Sequence, residues 1–275
     1  MNSRILKAIV KKDLKDIFRS KSLLTTLIII PILFSVIIPA ILVGSAIMFD
    51  LKEMAGNEAG KLIELFMAQV KDVKVPLETE EQQFVYIFIN YLLPSLFLLV
   101  PIITASTVAA NSFVGEKERR TLESLLFSPV SIKTLFISKV LASFIPPFLV
   151  SIISFILSGV VINGLGYPLF GTMIFPSASW LVLILCLSPM VTLMTVLLNV
   201  LISSRVKTFQ EAQNIGGVII LPVVGMMAGQ ASGLFLVGAP IMLLISLAIL
   251  IINAILLQRI TKYNDRFVLF EKQIH

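Results

Sequence analysis

Long apolar runs follow one another along the chain, separated by short polar stretches. Roughly 20 mostly apolar residues cross the hydrocarbon of a bilayer, about 30 Å thick. Leu23–Phe49, Phe84–Phe113, Leu135–Leu165 and Trp180–Ser203 all meet that length. Ile215–Leu257 is too long for one crossing and breaks near Gly233–Pro240, "GLFLVGAP". It reads as a fifth span, Ile215–Gly233, a tight turn and a sixth span, Ala239–Leu257. The fifth is short enough to permit either a full crossing or a re-entry from the outer face. The pattern predicts an all-α, polytopic membrane protein with six transmembrane helices in a single domain over 1–275.

Two segments outside the spans show amphipathic patterning. In Ser3–Lys21, Ile5, Leu6, Ile9, Val10, Leu14, Ile17 and Phe18 share one helical stripe, and Lys7, Lys11, Lys12, Lys15 and Arg19 take the remainder. Such a helix, over 1–21, is expected in the lipid headgroup layer with its apolar side down. Packing on a partner protein is the alternative. Between the first two spans, 50–83 places Leu62, Ile63, Leu65 and Phe66 beside Glu and Lys. That stretch predicts a short amphipathic helix in an extracellular cap, too small to be an independent domain.

Composition sharpens this picture. Apolar residues make up 57% of the 275 and charged ones 14%, against about 45–50% and about 25% in soluble domains. Charge this scarce leaves most of the surface to lipid. All but four of the 22 Lys and Arg lie at the termini, in the loops 112–134 and 204–214, or at Lys139, placed at the foot of the third span. The other side holds Lys52, Lys61, Lys71 and Lys74 beside eight acidic residues between Asp50 and Glu81. Positive charge collects on cytoplasmic loops, so both termini, including a tail over 258–275, are expected in the cytoplasm and the spans in the plasma membrane. This asymmetry accounts for the basic balance without a nucleic-acid partner. The first 21 residues, seven of them Lys or Arg, do not read as a cleavable signal peptide. Cys186 is the single cysteine and His275 the single histidine, so neither an intrachain disulfide nor a zinc or haem site is expected.

One loop differs from the rest. "GEKERRTLESLLFSPVS", Gly115–Ser131, is charged and helix-prone between two of the most apolar runs. Gly115 permits a sharp turn, and Glu116, Lys117, Glu118, Arg119 and Arg120 are strong helix formers. Leu122, Leu125 and Leu126 follow at i, i+3 and i+4, giving one apolar side. Pro129 ends the helix and Ser131 is placed to cap the next span. The expected element is a short cytoplasmic amphipathic helix over 115–128, tied to a span at each end. Pushing it moves both spans.

The order Glu116-Lys117-Glu118-Arg119-Arg120-Thr121-Leu122-Glu123-Ser124-Leu125-Leu126, then Ser128-Pro129-Val130-Ser131 and Lys139, resembles the signature of ABC transporter type-2 permeases. That signature runs E-x-E-x-x-T-L-E-x-L-L, then x-P-[VI]-S and a Lys. "SSRVKTFQEAQNIGGVIILP", Ser203–Pro222, is similar to the family's second cytoplasmic loop and its Ala-Gln entry into the fifth span. Arg120 departs from the family's frequent Gly, which stiffens the turn before Thr121. The resemblance implies a membrane subunit paired with a second copy or a paralogue, the two seated on ATP-binding cassette ATPase subunits that hold ATP and Mg. It assigns Glu116, Glu118, Arg119, Thr121, Leu122, Glu123, Leu125 and Leu126 to a coupling helix docked on the ATPase. Glu116 and Glu118 would pair with basic groups there or on the interfacial helix, and the leucines would seat the helix. The alternative is a capped elbow that merely joins two spans. The chain has no G-x-x-x-x-G-K-[ST], so it is expected to bind no cofactor and to be no enzyme itself.

Inside the boundaries drawn above no ionisable residue is counted, which disfavours a carboxylate relay, although backbone carbonyls can bind Na⁺. The second span carries Asn90, Thr104, Ser106, Thr107 and Asn111; the fourth carries Ser188, Thr192, Thr195 and Asn199; the fifth Gln230 and the sixth Asn253. Interhelical hydrogen bonding accounts for most such groups. Asn90, Thr107, Asn111 and Gln230 are the substrate-pathway candidates, the amides because they are costlier to bury than hydroxyls. Pro31, Pro39, Pro94, Pro101, Pro146, Pro147 and Pro189 read either as bends or as hinges. Gly225, Gly229 and Gly233 form a ladder that either packs tightly within the subunit or closes an outer gate against the partner copy. The leading expectation is an exporter subunit for a hydrophobic or amphipathic cargo such as a drug, peptide or lipid. Sodium export is the alternative within that class. A passive channel, a membrane scaffold and an intramembrane enzyme lie outside it, and the last needs a nucleophile–base pair that the spans lack.

Overall fold

A computed structural model of the chain describes residues 3–48, 63–70, 75, 77–115, 118, 132–203 and 205–264, with helices and connections and no strand among them. Six helices are long and apolar enough to cross a membrane, the number the pattern predicts. They follow the amphipathic α1 (Ser3–Arg19). The six are α2 (Lys21–Met48), α3 (Glu80–Gly115), α4 (Ile132–Phe170), α5 (Ala178–Ser203), α6 (Phe209–Ala231) and α7 (Ala239–Asn264).

Capping chemistry moves two helix starts away from the hydropathy boundaries. Thr208 Oγ1 accepts from the Glu211 amide at 3.2 Å, and the Lys207 amide donates to the Glu211 carboxylate at 3.1 Å. The polar "FQEAQN" therefore belongs to α6, which starts at Phe209 and not at Ile215. The added turns give α6 23 residues, the length of a full crossing. A Thr79–Gln82 capping box likewise starts α3 at Glu80. At the far end of the chain α7 runs past Leu257 to Asn264, into the segment read as a tail.

Three of the span prolines follow a widened helical turn. π-helical turns occupy Leu33–Ile37, Phe88–Leu92 and Leu183–Leu187, and each ends two residues before a proline: Pro39, Pro94 and Pro189. A proline has no N–H to donate, and its ring pushes away the carbonyl four residues back. A wider turn relieves that clash. It also leaves carbonyls without helical donors, and other groups take them. Trp180 Nε1 donates to the Ile89 carbonyl at 2.9 Å, whose i+5 partner would be Pro94. The Trp180 ring is fully buried, edge-on to Phe97 and Phe175 with centroids 5.2 and 4.9 Å away.

α3 occupies the centre, packed by α2, α4, α5 and α6. A large cluster around Val85, Ile89, Leu93, Phe97 and Trp180 fills the end nearer the α4–α5 loop. A smaller one around Ala105, Ala109, Val196 and Leu197 fills the other end. Asn163 of α4 shapes the α4–α5 loop, accepting from the Ile174 and Phe175 amides and donating to the Phe175 carbonyl at 2.7 Å. In the segment read as a cap, Ile63 and Phe66 are buried against Ile87 and Leu236, while Leu65 is exposed. Leu62 lies outside the described residues.

Candidate coupling and transport site

The basic end is built where α1, the end of α3, the start of α4 and the start of α6 meet. α1 does not simply rest its stripe on a lipid surface, because it packs along α4. Its most buried positions are Ile17 at 2% exposed and Asp13 at 5%. Asp13 sits between Ile9 and Ile17 at helical spacing, on the apolar face itself. Its carboxylate lies 3.8 Å from Lys139 Nζ of α4 and 3.5 Å from Lys12 Nζ. Lys139 also donates to the Ser112 carbonyl at 3.1 Å, in the last turn of α3.

The absence of ionisable residues inside the spans is therefore corrected. Lys139 is not a snorkelling residue at a span's foot. It is 2% exposed within α4 and joins three helices. Burial is tolerated because a carboxylate and a carbonyl both face the ammonium group. The sequence signal was an acid on an apolar stripe.

Glu118 is the one coupling candidate among the described residues; Glu116, Arg119, Thr121, Leu122, Glu123, Leu125 and Leu126 lie outside them. Its carboxylate accepts from the Phe209 amide at 3.0 Å. This adds a negative group to the N-terminus of α6, where helix amides lack partners and the dipole favours an acid. Thr208 serves the third amide of α6 and Glu118 the first, so two loops distant in sequence share one helix end. Ser20, Ser22, Asn111, Gly115, Glu118 and Thr208 line part of a polar cavity of about 530 Å³ there. Gly115 ends a π-helical turn, Asn111–Gly115, without positive φ. Its missing side chain leaves room for the Asn111 amide, whose Oδ1 would lie 3.1 Å from a Cβ there.

The model of the ABC-2 family transporter proteins matches residues 7–269, from within α1 to beyond the described part of α7. The chain belongs to that family. No curated protein and no solved structure matches it. The protein is a multi-pass permease subunit. Subunits of this family lack ATPase activity and generally pair with an ATP-binding subunit that handles ATP.

Deeper in the permease, α6 is fastened to α3 by polar groups. Gln213 Nε2 donates to Thr107 Oγ1 at 3.2 Å, and beside it Asn199 Nδ2 of α5 donates to Ser106 Oγ of α3 at 3.3 Å. Gly216 lies so close to this cluster that a Cβ there would meet Ser106 Oγ at 2.5 Å. Near the other end of α6, Gln230 is fully buried, accepting from Ser95 Oγ at 2.6 Å and donating to the Tyr91 carbonyl at 3.3 Å. The four pathway candidates thus do not converge: Thr107 and Asn111 lie towards the basic end, Asn90 and Gln230 towards the other. Asn90 donates within its own helix, to the Tyr86 carbonyl at 2.9 Å. Asn253 joins α7 to the Met190 carbonyl of α5. Most span hydroxyls, such as Thr104, Thr192 and Thr195, bond to carbonyls of their own helix.

The glycine ladder divides. Gly233, at φ +75°, ends α6: its amide reaches the Gln230 carbonyl and that of Leu234 the Gly229 carbonyl, a Schellman cap. Gly229 is covered by Phe235, whose ring would lie 2.6 Å from a Cβ there. Gly225 faces open space. Between α3, α5, α6 and α7 lies a second cavity, about 340 Å³, with an aliphatic and methionine lining that includes Ile102, Met194, Val223, Met226 and Met242.

Proposed function

We propose that this permease is the pathway-forming subunit of an ATP-driven exporter, with both termini in the cytoplasm of a cell whose plasma membrane it spans. The cargo is hydrophobic or amphipathic, which the apolar lining of the 340 Å³ cavity supports. Glu116–Leu126 docks on the ATP-binding subunit, and a second copy or a paralogue completes the pathway. Of the glycine ladder, Gly225 keeps an open face, so close approach by a partner helix falls there.

The observation that carries the coupling reading is the 3.0 Å bond between Glu118 and the Phe209 amide. A push on the coupling stretch reaches α6 directly as well as through α3 and α4. Leu122, Leu125 and Leu126 seat the stretch on the ATPase, while Glu118 passes its displacement to α6. The test is co-purification with the ATPase encoded beside this chain, combined with cargo-stimulated ATP hydrolysis in liposomes. Leu122→Asp is expected to abolish association. Glu118→Gln is expected to keep association and basal hydrolysis but lose most cargo stimulation, with Glu118→Asp restoring part. Full association of Leu122→Asp would overturn the docking role. Unchanged stimulation in Glu118→Gln would overturn the link to α6.

A further inference from the structure

A groove of about 270 Å³ runs between α1 and α4. Leu6, Val10 and Leu14 form one wall, Leu141 and Ile145 of α4 the other, and Lys7 and Lys11 the rim. Helical geometry makes this arrangement unavoidable. Leu6, Val10 and Leu14 recur every four residues, and Lys7 and Lys11 lie one step further round the same turns.

The two lysines differ from their neighbour. Lys12 has Asp13 at 3.5 Å and Asp16 at 3.8 Å. Lys7 and Lys11 are exposed and, among the described residues, have no acidic partner. Two unneutralised cations therefore border a trough whose walls are hydrocarbon. The trough is also preformed, because the Asp13–Lys139 pair fixes α1 on α4.

We propose that this groove binds one anionic phospholipid, its acyl chain along Leu6, Val10, Leu14, Leu141 and Ile145 and its phosphate between Lys7 and Lys11. Charge and shape both select this occupant. A free anion leaves the apolar walls empty, and a zwitterionic lipid brings no net charge to the lysines. The assignment rests on the orientation proposed above only for its source, the cytoplasmic leaflet, where anionic lipid and juxtamembrane lysines attract one another.

The test is native mass spectrometry of the purified permease in a non-ionic detergent, titrated with phosphatidylglycerol and with phosphatidylcholine of the same chains. Wild type is expected to retain one phosphatidylglycerol in preference to phosphatidylcholine. Lys7→Gln with Lys11→Gln should weaken that binding about tenfold or more. Lys15→Gln with Arg19→Gln removes as much charge from the same helix outside the groove and should leave it unchanged. Leu141→Trp fills the trough with all charges kept and should also weaken it; if that variant aggregates, the two double charge variants still decide. Equal loss in both pairs would mean a diffuse basic surface and would overturn the site, as would a wild type without lipid preference. Binding is read without transport or ATP, so failure of the exporter reading leaves this result standing.

Discussion

α3 and α6 lie against each other at both ends, yet they are held in opposite ways. In the most apolar window of α3, 67% of the residues are buried, against 11% for α6. Val85, Ile89, Leu93, Phe97 and Val100 of α3 are all fully enclosed. Ile215, Val218, Leu221 and Val224 of α6 are exposed. Apart from Val223 and the residues beside it that pack on the main cluster, what fastens α6 is polar and sits near its ends: Glu118, Gln213 and the Gly216 approach at one, Gln230 at the other. Gln69 adds a bond to the Gly233 carbonyl just beyond that second end. Lipid tails are as apolar as leucine, so greasy contact alone does not tell a helix where to sit in a membrane. Close fit holds α3, and a narrow apolar strip with a few directional bonds holds α6. α3 is the frame of the bundle, and of the six spans α6 has the smallest buried share.

That contrast can be broken from the α3 side first. Trp180→Ala empties the centre of the frame and orphans the Ile89 carbonyl, and should cost about 4 kcal/mol. It should appear as a large fall in the unfolding midpoint in detergent; a small fall would deny α3 its central role. Lys139→Met removes a cation facing the buried Asp13 carboxylate and should cost about 3 kcal/mol by the same measurement. Adding Asp13→Asn should recover part of that loss, since the buried charge goes with it.

On the α6 side the effects are smaller and more local. Gly216→Ala drives a Cβ against Ser106 Oγ and should cost about 2 kcal/mol. Ser106→Ala in the same chain removes the opposing oxygen and should restore most of it; failure to restore would mean that the close approach does not set the fit. Gln230→Leu should cost only about 1 kcal/mol, the scale of hydrogen bonds between membrane helices. Its effect on cargo-stimulated ATP hydrolysis should nevertheless be large, because one of α6's few fastenings is lost. Gly225→Ala meets nothing and should change subunit stability by less than about 0.5 kcal/mol. A loss of dimer with stability intact would place the partner copy at Gly225.

Much of the architecture was legible because its signals are local. Six apolar stretches and the amphipathic period of α1 depend only on neighbouring residues; the Thr-x-x-Glu and Thr-x-x-Gln caps that start α6 and α3 are equally local, but hydropathy passes over them. The family signature at 116–126 is equally local, and it led to the membrane-subunit reading. The site was less legible, because its features lie in pairs of residues far apart in the chain. Asp13 gains its meaning only from Lys139, which the fold sets opposite it. Glu118 read as a partner for basic groups on the ATPase or on the interfacial helix, yet its carboxylate reaches the α6 amide 91 positions later. The glycine ladder had perfect spacing, but Phe235 covers one step and a helix cap uses another.

Sequence by itself determined that this chain lives in lipid, how many times it can cross, where its charge gathers and which family it resembles. Hydrophobic length, helical period and local capping are short-range properties, written in consecutive residues. Tertiary structure alone decided that Lys139 is a buried three-helix tie, that Trp180 completes a carbonyl left open before Pro94, and that α6 is held by few bonds. Each of those depends on which distant groups meet. In a solvent that satisfies no polar atom, such meetings settle both where a helix rests and how freely it can leave.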